Sequence, residues 1–417
     1  MSLREAIDRA AESNPTLLAE RASARAADRR TLDGTRAFLP TLTFGAQGLR
    51  TTDPVAVFGL KLRQEQFFAE DLSLDALNRP ASFVGYNASA TVELPVLAPE
   101  GLFGYAAARK ASRAVSAAVD RAAGATRLAV IRGYWDAQLS TLRLDALGEA
   151  LGAARAHAEQ AEALREQGLV TGLDARLARV HAASISVRRL AAAAEAGNQL
   201  SSLGALLALP DGARLTLTDP LDLTGAADPS SDTPRDLSQR GDLVALRFGV
   251  EAAEAVVKSA WGSNLPSVGL FGSLGRHARS SPWGEGSGHW TVGIGVTWTP
   301  FRGLAGVGAV GGAQADRMAA ELRLEAAERE ARVEVLRAER FLFASRERVT
   351  VAAEGESEAR AALDQAGLRY RTGTSTITEL LDVQTAATSA TLSLLAARRD
   401  LLLAQAALDF AYGVYDR

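Results

Sequence analysis

The chain has 417 residues, with 46 Lys and Arg against 49 Asp and Glu, for a formal net charge of −3. That balance, with no basic run, argues against a nucleic-acid binder. There is no cysteine, and the two methionines and four scattered histidines leave no disulfide, no thiolate or soft-metal site and no cofactor to expect. No apolar run reaches the ~18 residues of a spanning helix. The opening "MSLREAI" has no apolar stretch of the secretory kind, so a signal peptide is not expected in this chain.

The chain is written twice. Leu17–Pro40 lines up with Leu243–Pro266, 226 positions on, whereas Pro95 pairs with Pro300 and Gly168 with Gly373, both 205 on. The 21-residue difference falls between Pro40 and Pro95 of the first half, against Pro266 and Pro300 of the second, which predicts an exposed loop near residues 57–77. Residues 1–209 form the first repeat, 210–234 a connector rich in Pro, Asp, Ser and Thr, and 235–417 the second repeat.

Taken in order, a strand is predicted at about 39–49, with Leu42, Phe44 and Ala46 on its apolar side, and a second at about 82–96. The second alternates Val84, Tyr86, Ala88, Ala90, Val92 and Leu94 with Phe83, Gly85, Asn87, Ser89, Thr91 and Glu93. From Pro95 a long helix, rich in Ala, Leu, Arg and Glu, runs toward a turn near Gly168, and a return helix follows to about Leu209. Val130, Tyr134, Ala137, Thr141, Leu144, Gly148 and Leu151 step by four and three, a heptad-like seam of mostly small residues. About 65 helical residues would span roughly 100 Å.

The second half repeats this pattern. Strands are predicted at about 265–275 and 289–300, then a long helix with Ala338, Leu342, Ser345, Val349 and Ala352 on its seam, a turn near Gly373 and a return helix to Gly413. The last strand is the clearest. Trp290, Val292, Ile294, Val296 and Trp298 alternate with Thr291, Gly293, Gly295, Thr297 and Thr299. One such strand suits an ordinary sheet packed on a core. Trp290 and Trp298, however, lie on one face roughly 20 Å apart, close to the height of an outer-membrane apolar band with its aromatic girdles. Four strands cannot close a barrel, for which about eight are needed, so further copies of the chain would have to complete it.

Gly306, Gly308 and Gly311 spell G-x-G-x-x-G, the pattern of a dinucleotide loop. The preceding strand alternates instead of being apolar on both faces, and the following helix is several times too long for a βαβ unit. A glycine-eased bend from strand to helix is the better account, and no catalytic group stands out.

"SLREAIDRAAESNPTL", "RGDLVALRFGVEAAEAVVKSAWGSNLPSV" and "YRTGTSTITELLDVQTAATSATLSLLAARRDLLLAQAAL" resemble, in order, the opening helix, second-repeat start and final hairpin of the TolC family of outer-membrane efflux ducts. Gly241 stands where that family usually has proline. The segment "DPVAVFGLKLRQEQFFAEDLSLDALNRP" resembles a surface-loop insertion of some members. The resemblance implies a mainly α chain with a small β part, three copies building a twelve-stranded β-barrel in the outer membrane, continued by an α-helical coiled-coil tunnel through the periplasm. It implies a periplasmic adaptor and an inner-membrane pump, of RND or ABC type, as partners, with the hairpin tips at Gly168 and Gly373 meeting the adaptor. Glu379 and Asp382 match an acidic ring that closes the tip, and Tyr370 and Asp174 match a tether that holds it closed. Ser375 stands where some members have an Arg completing the tether. Read without the resemblance, Glu379 and Asp382 are two carboxylates on one helical face, as solvated surface residues often are. A soluble coiled-coil scaffold or adhesin, its strands forming a capping sheet, is the alternative from another class.

Overall fold

The structure, a computed structural model, describes residues 1–221 and 236–416. Residues 222–234 of the expected connector lie outside the described residues; of the rest, Leu221 is buried in the helical core. In chain order the main elements are α1 (Leu3–Ser13), α2 (Pro15–Arg30), β1 (Thr41–Thr51), α3 (Pro54–Arg63), α4 (Leu74–Asn78), β2 (Phe83–Leu97), α5 (Pro99–Glu166), α6 (Gly172–Leu206), α7 (Gly241–Gly262), β3 (Ser267–Ala278), β4 (Gly286–Thr297), α8 (Ala305–Arg371) and α9 (Ile377–Ala411). The duplication is visible in them. α2 and α7, and β1 and β3, begin 226 positions apart, while α6 and α9 are both 35 residues long and begin 205 apart.

Two compact units cut across the repeats, each drawing on both halves. The first comprises Met1–Ala24, Val115–Ala245 and Leu324–Arg417 and is helical. Its core is the predicted seam: Val130, Tyr134 and Ala137 are fully buried with Leu203, Leu207 and Ala406. Farther along α8, Leu342 packs with Leu401, Ala404 and Leu408 of α9. Small residues at these positions let long helices approach closely along their whole contact.

A charged cluster joins the start of α7 to the end of the chain within this unit. Gly241 N–H donates to Asp416 Oδ2 at 2.9 Å, and Arg121 of α5 donates to the Phe410 carbonyl at 2.7 Å and faces Asp416 at 3.4 Å. Arg240 donates to Glu334 at 2.6 Å and to the Ala411 carbonyl at 2.9 Å. A Cβ on residue 241 would sit 2.9 Å from the Ala117 carbonyl oxygen. Glycine is thus required here by close approach, and the N–H that a proline would lack is in use.

The second unit comprises Arg25–Ala114 and Leu246–Arg323 and holds the sheet. All three pairings are antiparallel, in the order β1-β2-β3-β4, so β1 and β4 are edges. Register aligns Phe44, Ala90, Leu274 and Trp290 in one row and Gln47, Asn87, His277 and Ser287 in another. Because side chains alternate, the first row lies on the apolar face and the second on the polar face. β4 ends at Thr297, short of the expected 300, and Trp298 beyond it donates its indole N–H to the Asn264 carbonyl at 3.1 Å.

Two expectations are corrected here. The extra residues of the first half are not a bare exposed loop: they fold into α3, a 3-10 turn and α4, with Val57 and Gln64 buried. The bend before α8 is made at Gly303, whose φ is +67°, while Gly306, Gly308 and Gly311 lie inside the helix. The expected glycine bend is therefore displaced, and the G-x-G-x-x-G pattern forms no loop at all.

Candidate functional site

Each long helix ends in the same turn. Gly168 and Gly373 have φ of +76° and +73°, the left-handed conformation that costs glycine nothing. In both turns the glycine N–H reaches back three residues and the next N–H five, to Arg165 and Leu164 in one and to Tyr370 and Arg369 in the other. This paired bonding satisfies the last helical carbonyls and stops the helix. The return helices then start alike, Thr171 accepting from the Asp174 N–H and Thr376 from the Glu379 N–H. Asp174 and Glu379, assigned different roles by resemblance, are thus equivalent positions of the two repeats.

Around these turns four helices share a small apolar core. Ala158 and Ala161 of α5, Ala175 and Ala178 of α6, Tyr370 of α8, and Ile377, Leu380 and Leu381 of α9 are buried together. Tyr370 is 4% exposed. Burial first, and the Asp174 charge second, push its hydroxyl above the usual tyrosine range. The two expected tether residues are therefore within electrostatic reach of each other, but they are not hydrogen-bonded. Tyr370 Oη has no partner among the described residues, and Asp174 Oδ2 accepts instead from the Thr171 N–H and hydroxyl at 2.9 and 2.8 Å.

The two expected ring carboxylates have different surroundings. Glu379 Oε1 accepts from Arg369 at 2.8 Å and Oε2 from the Ser375 hydroxyl at 2.7 Å. Asp382, one turn on, is exposed and lies near His181 of α6. Burial and Arg188 push His181 below the usual histidine range, with Asp382 opposing them. Its Nε2 is buried and has no hydrogen-bond partner among the described residues. Arg369 and His181 were missed from the sequence. Arg369 has a local signal, a cation just before the turn opposite an acid just after it, while His181 has none because α6 and α9 meet only in space.

The sheet offers the other candidate surface. Trp290, Val292, Ile294 and Val296 are each at least 65% exposed, and Trp298 is 60% exposed. Phe44 and Leu274 of the same face are also exposed. This contiguous apolar surface is far larger than isolated surface hydrophobics. Among the described residues no helix is long and apolar enough to cross a membrane, and no group of three or more metal-ligating side chains exists.

Residues 234–414 match the family model described as outer membrane efflux protein. No curated protein matches. Among solved structures, the outer-membrane channel OprN aligns with TM-score 0.83 and 22% identity, over 100% of this chain and 91% of that one. The Neisseria gonorrhoeae MtrE outer membrane channel aligns with TM-score 0.81 and 21% identity, over 99% and 88%. The Campylobacter jejuni CmeC outer membrane channel aligns with TM-score 0.81 and 17% identity, over 99% and 85%. The second repeat is thus similar to the outer membrane efflux protein family, and the chain shares the fold of such channels along its whole length.

Proposed function

We propose that the chain is one third of a passive efflux duct in the outer membrane, three copies pairing β1 to β4 into a twelve-stranded barrel whose apolar face meets lipid and whose polar face lines a water-filled path. The observation that carries this reading is the sheet: open at both edges, its apolar face exposed at Phe44, Leu274 and Trp290, and its strands β2 and β4 leading into the long helices α5 and α8. A soluble protein would leave such edges and such a face prone to aggregation. The scaffold or adhesin alternative has no use for them.

In this proposal the helical hairpins continue the path into the periplasm, and their tips at Gly168 and Gly373 meet a periplasmic adaptor that couples the duct to an inner-membrane pump. Glu379 and Asp382 form the acidic ring of the closed tip, and Tyr370 and Asp174 hold it closed. Energy comes from the pump, so the duct itself performs no chemistry. The deciding experiment is extraction and reconstitution. The chain should require detergent, run as a trimer and conduct ions in a planar bilayer. A monomer soluble in plain buffer, with no conductance, overturns the reading.

A further inference from the structure

The additional segment of the first half is folded onto the sheet, at the end opposite the strand ends that lead into α5 and α8. Leu60 of α3 lies over Gly85: a Cβ there would come 2.5 Å from Leu60 Cδ2 and 3.1 Å from Gln64 Nε2. Gln64 is 1% exposed and donates to the Val84 carbonyl at 3.2 Å. From β4, Ser287 donates to the Arg63 carbonyl, and Arg279, just past β3, donates to the Gln64 carbonyl at 3.3 Å. Lys61 ties α3 to the following turn through Asp71 at 2.6 Å.

These contacts choose a face. Gly85 is odd-numbered and shares its side of the sheet with Asn87 and His277, whereas Phe44, Leu274 and Trp290 on the other side stay uncovered. The seam under α3 is polar as well. Gln64 Oε1, Asn87 Oδ1 and His277 Nδ1 are buried there without a hydrogen-bond partner among the described residues. An element lying in lipid would not keep such atoms beneath it, because nothing in hydrocarbon could satisfy them.

We propose that residues 54–78 form a lid inside the outer mouth of the duct, three per trimer, that narrows the passage and limits the size of solute entering from outside. The inference rests on the reading that the polar face lines the lumen. The lid sets access from the exterior independently of any closure at the hairpin tips, so its test must not depend on conductance.

The absence of cysteine provides that test, since a single introduced thiol has no background. Thr291→Cys on the polar face of β4 and Val292→Cys on the apolar face are each exposed, in the reconstituted trimer, to a small charged maleimide and to a polymer-linked one. Thr291→Cys should react with the small reagent and only slowly with the bulky one. Replacing residues 57–77 by a short Gly-Ser linker should speed the bulky reaction about tenfold or more, as expected for a passage otherwise open a tenth of the time or less. Leu60→Glu, which keeps the full length but sets a carboxylate against Gly85, should act in the same direction and keeps the test alive if the excised chain fails to assemble. An unchanged bulky-to-small rate ratio in an assembled variant, whether excised or Leu60→Glu, overturns the lid while leaving the duct standing. Equal labelling at 291 and 292 by the small reagent overturns the lumen assignment itself.

Discussion

Glu379 and Asp382 stand one helical turn apart, yet only one has a cation hydrogen-bonded to it. Arg369 and Ser375 occupy both oxygens of Glu379, so its charge is largely compensated within the chain. Asp382 is exposed and lies near His181. In the proposed ring, at ~6 Å and an effective dielectric of ~20, each like-charged contact around the three-fold axis would cost roughly 3 kcal/mol, which would favour bound cations. Asp382→Asn should therefore lower cation selectivity and weaken divalent block in a planar bilayer more than Glu379→Gln does. Equal effects would mean that the Arg369 pair opens in the assembled duct. Tyr370→Phe removes a hydroxyl that has no hydrogen bond, so thermal stability should stay within about 1 kcal/mol of the parent. Conductance should nevertheless rise if that hydroxyl restrains the tip. Asp174 is a poorer probe of the same idea, because removing its carboxylate also removes the N3 half of the capping box with Thr171. Tyr415 gives a separate signal: burial first, and then Asp409, push its hydroxyl up to about 12. A raised pKa contributes stability that is complete below the unfolded value near 10 and is lost as pH rises toward 12. The loss should be about 2–3 kcal/mol, and Tyr415→Phe should abolish this alkaline step in a denaturation series.

Elements, too, are held by identifiable contacts. The start of α7 rests on the Asp416 carboxylate, which is fully enclosed and shared by the Gly241 N–H and Arg121. Gly241→Pro, which restores the residue usual in the resembled family, should here destabilise by at least ~2 kcal/mol, because it removes that N–H and drives ring atoms toward the Ala117 carbonyl. Asp416→Ala should cost roughly 3 kcal/mol by leaving Arg121 with only partial compensation. Both are read by thermal unfolding in detergent, and a neutral Gly241→Pro would show that α7 starts differently in solution. In β4 the two faces predict opposite tolerance. Ile294→Arg should cost about 2–4 kcal/mol and impair membrane assembly, whereas Gly295→Ser, with nothing within 4 Å of its Cβ position, should be mild. Equal damage from both would contradict the assignment of faces.

For the whole molecule, two units built from both repeats explain why the duplication does not yield two domains. Each half supplies two strands and one long hairpin, and neither half alone makes the four-stranded sheet. Expressing 235–417 alone should therefore give no barrel-forming sheet, because β3 would lose its partner β2. A stable trimer from that fragment would show that the first repeat is dispensable.

Periodicity was sufficient to locate the strands and long helices, because alternation over ten residues and heptad spacing over many turns are dictated by backbone geometry. Val130, Tyr134, Ala137, Leu342 and Ser345 were legible as seam residues for that reason, and Gly168 and Gly373 as turns because helix termination needs a left-handed residue. What the linear pattern could not carry was the partner of each polar group. The seat of α3 on the polar face, the Arg369 pair of Glu379, the Asp382–His181 encounter and the unbonded Tyr370 hydroxyl all depend on helices and strands that meet only after folding. A short amphipathic segment has several faces it could bury, and a surface carboxylate several cations it could reach. Only the packed tertiary arrangement selects one.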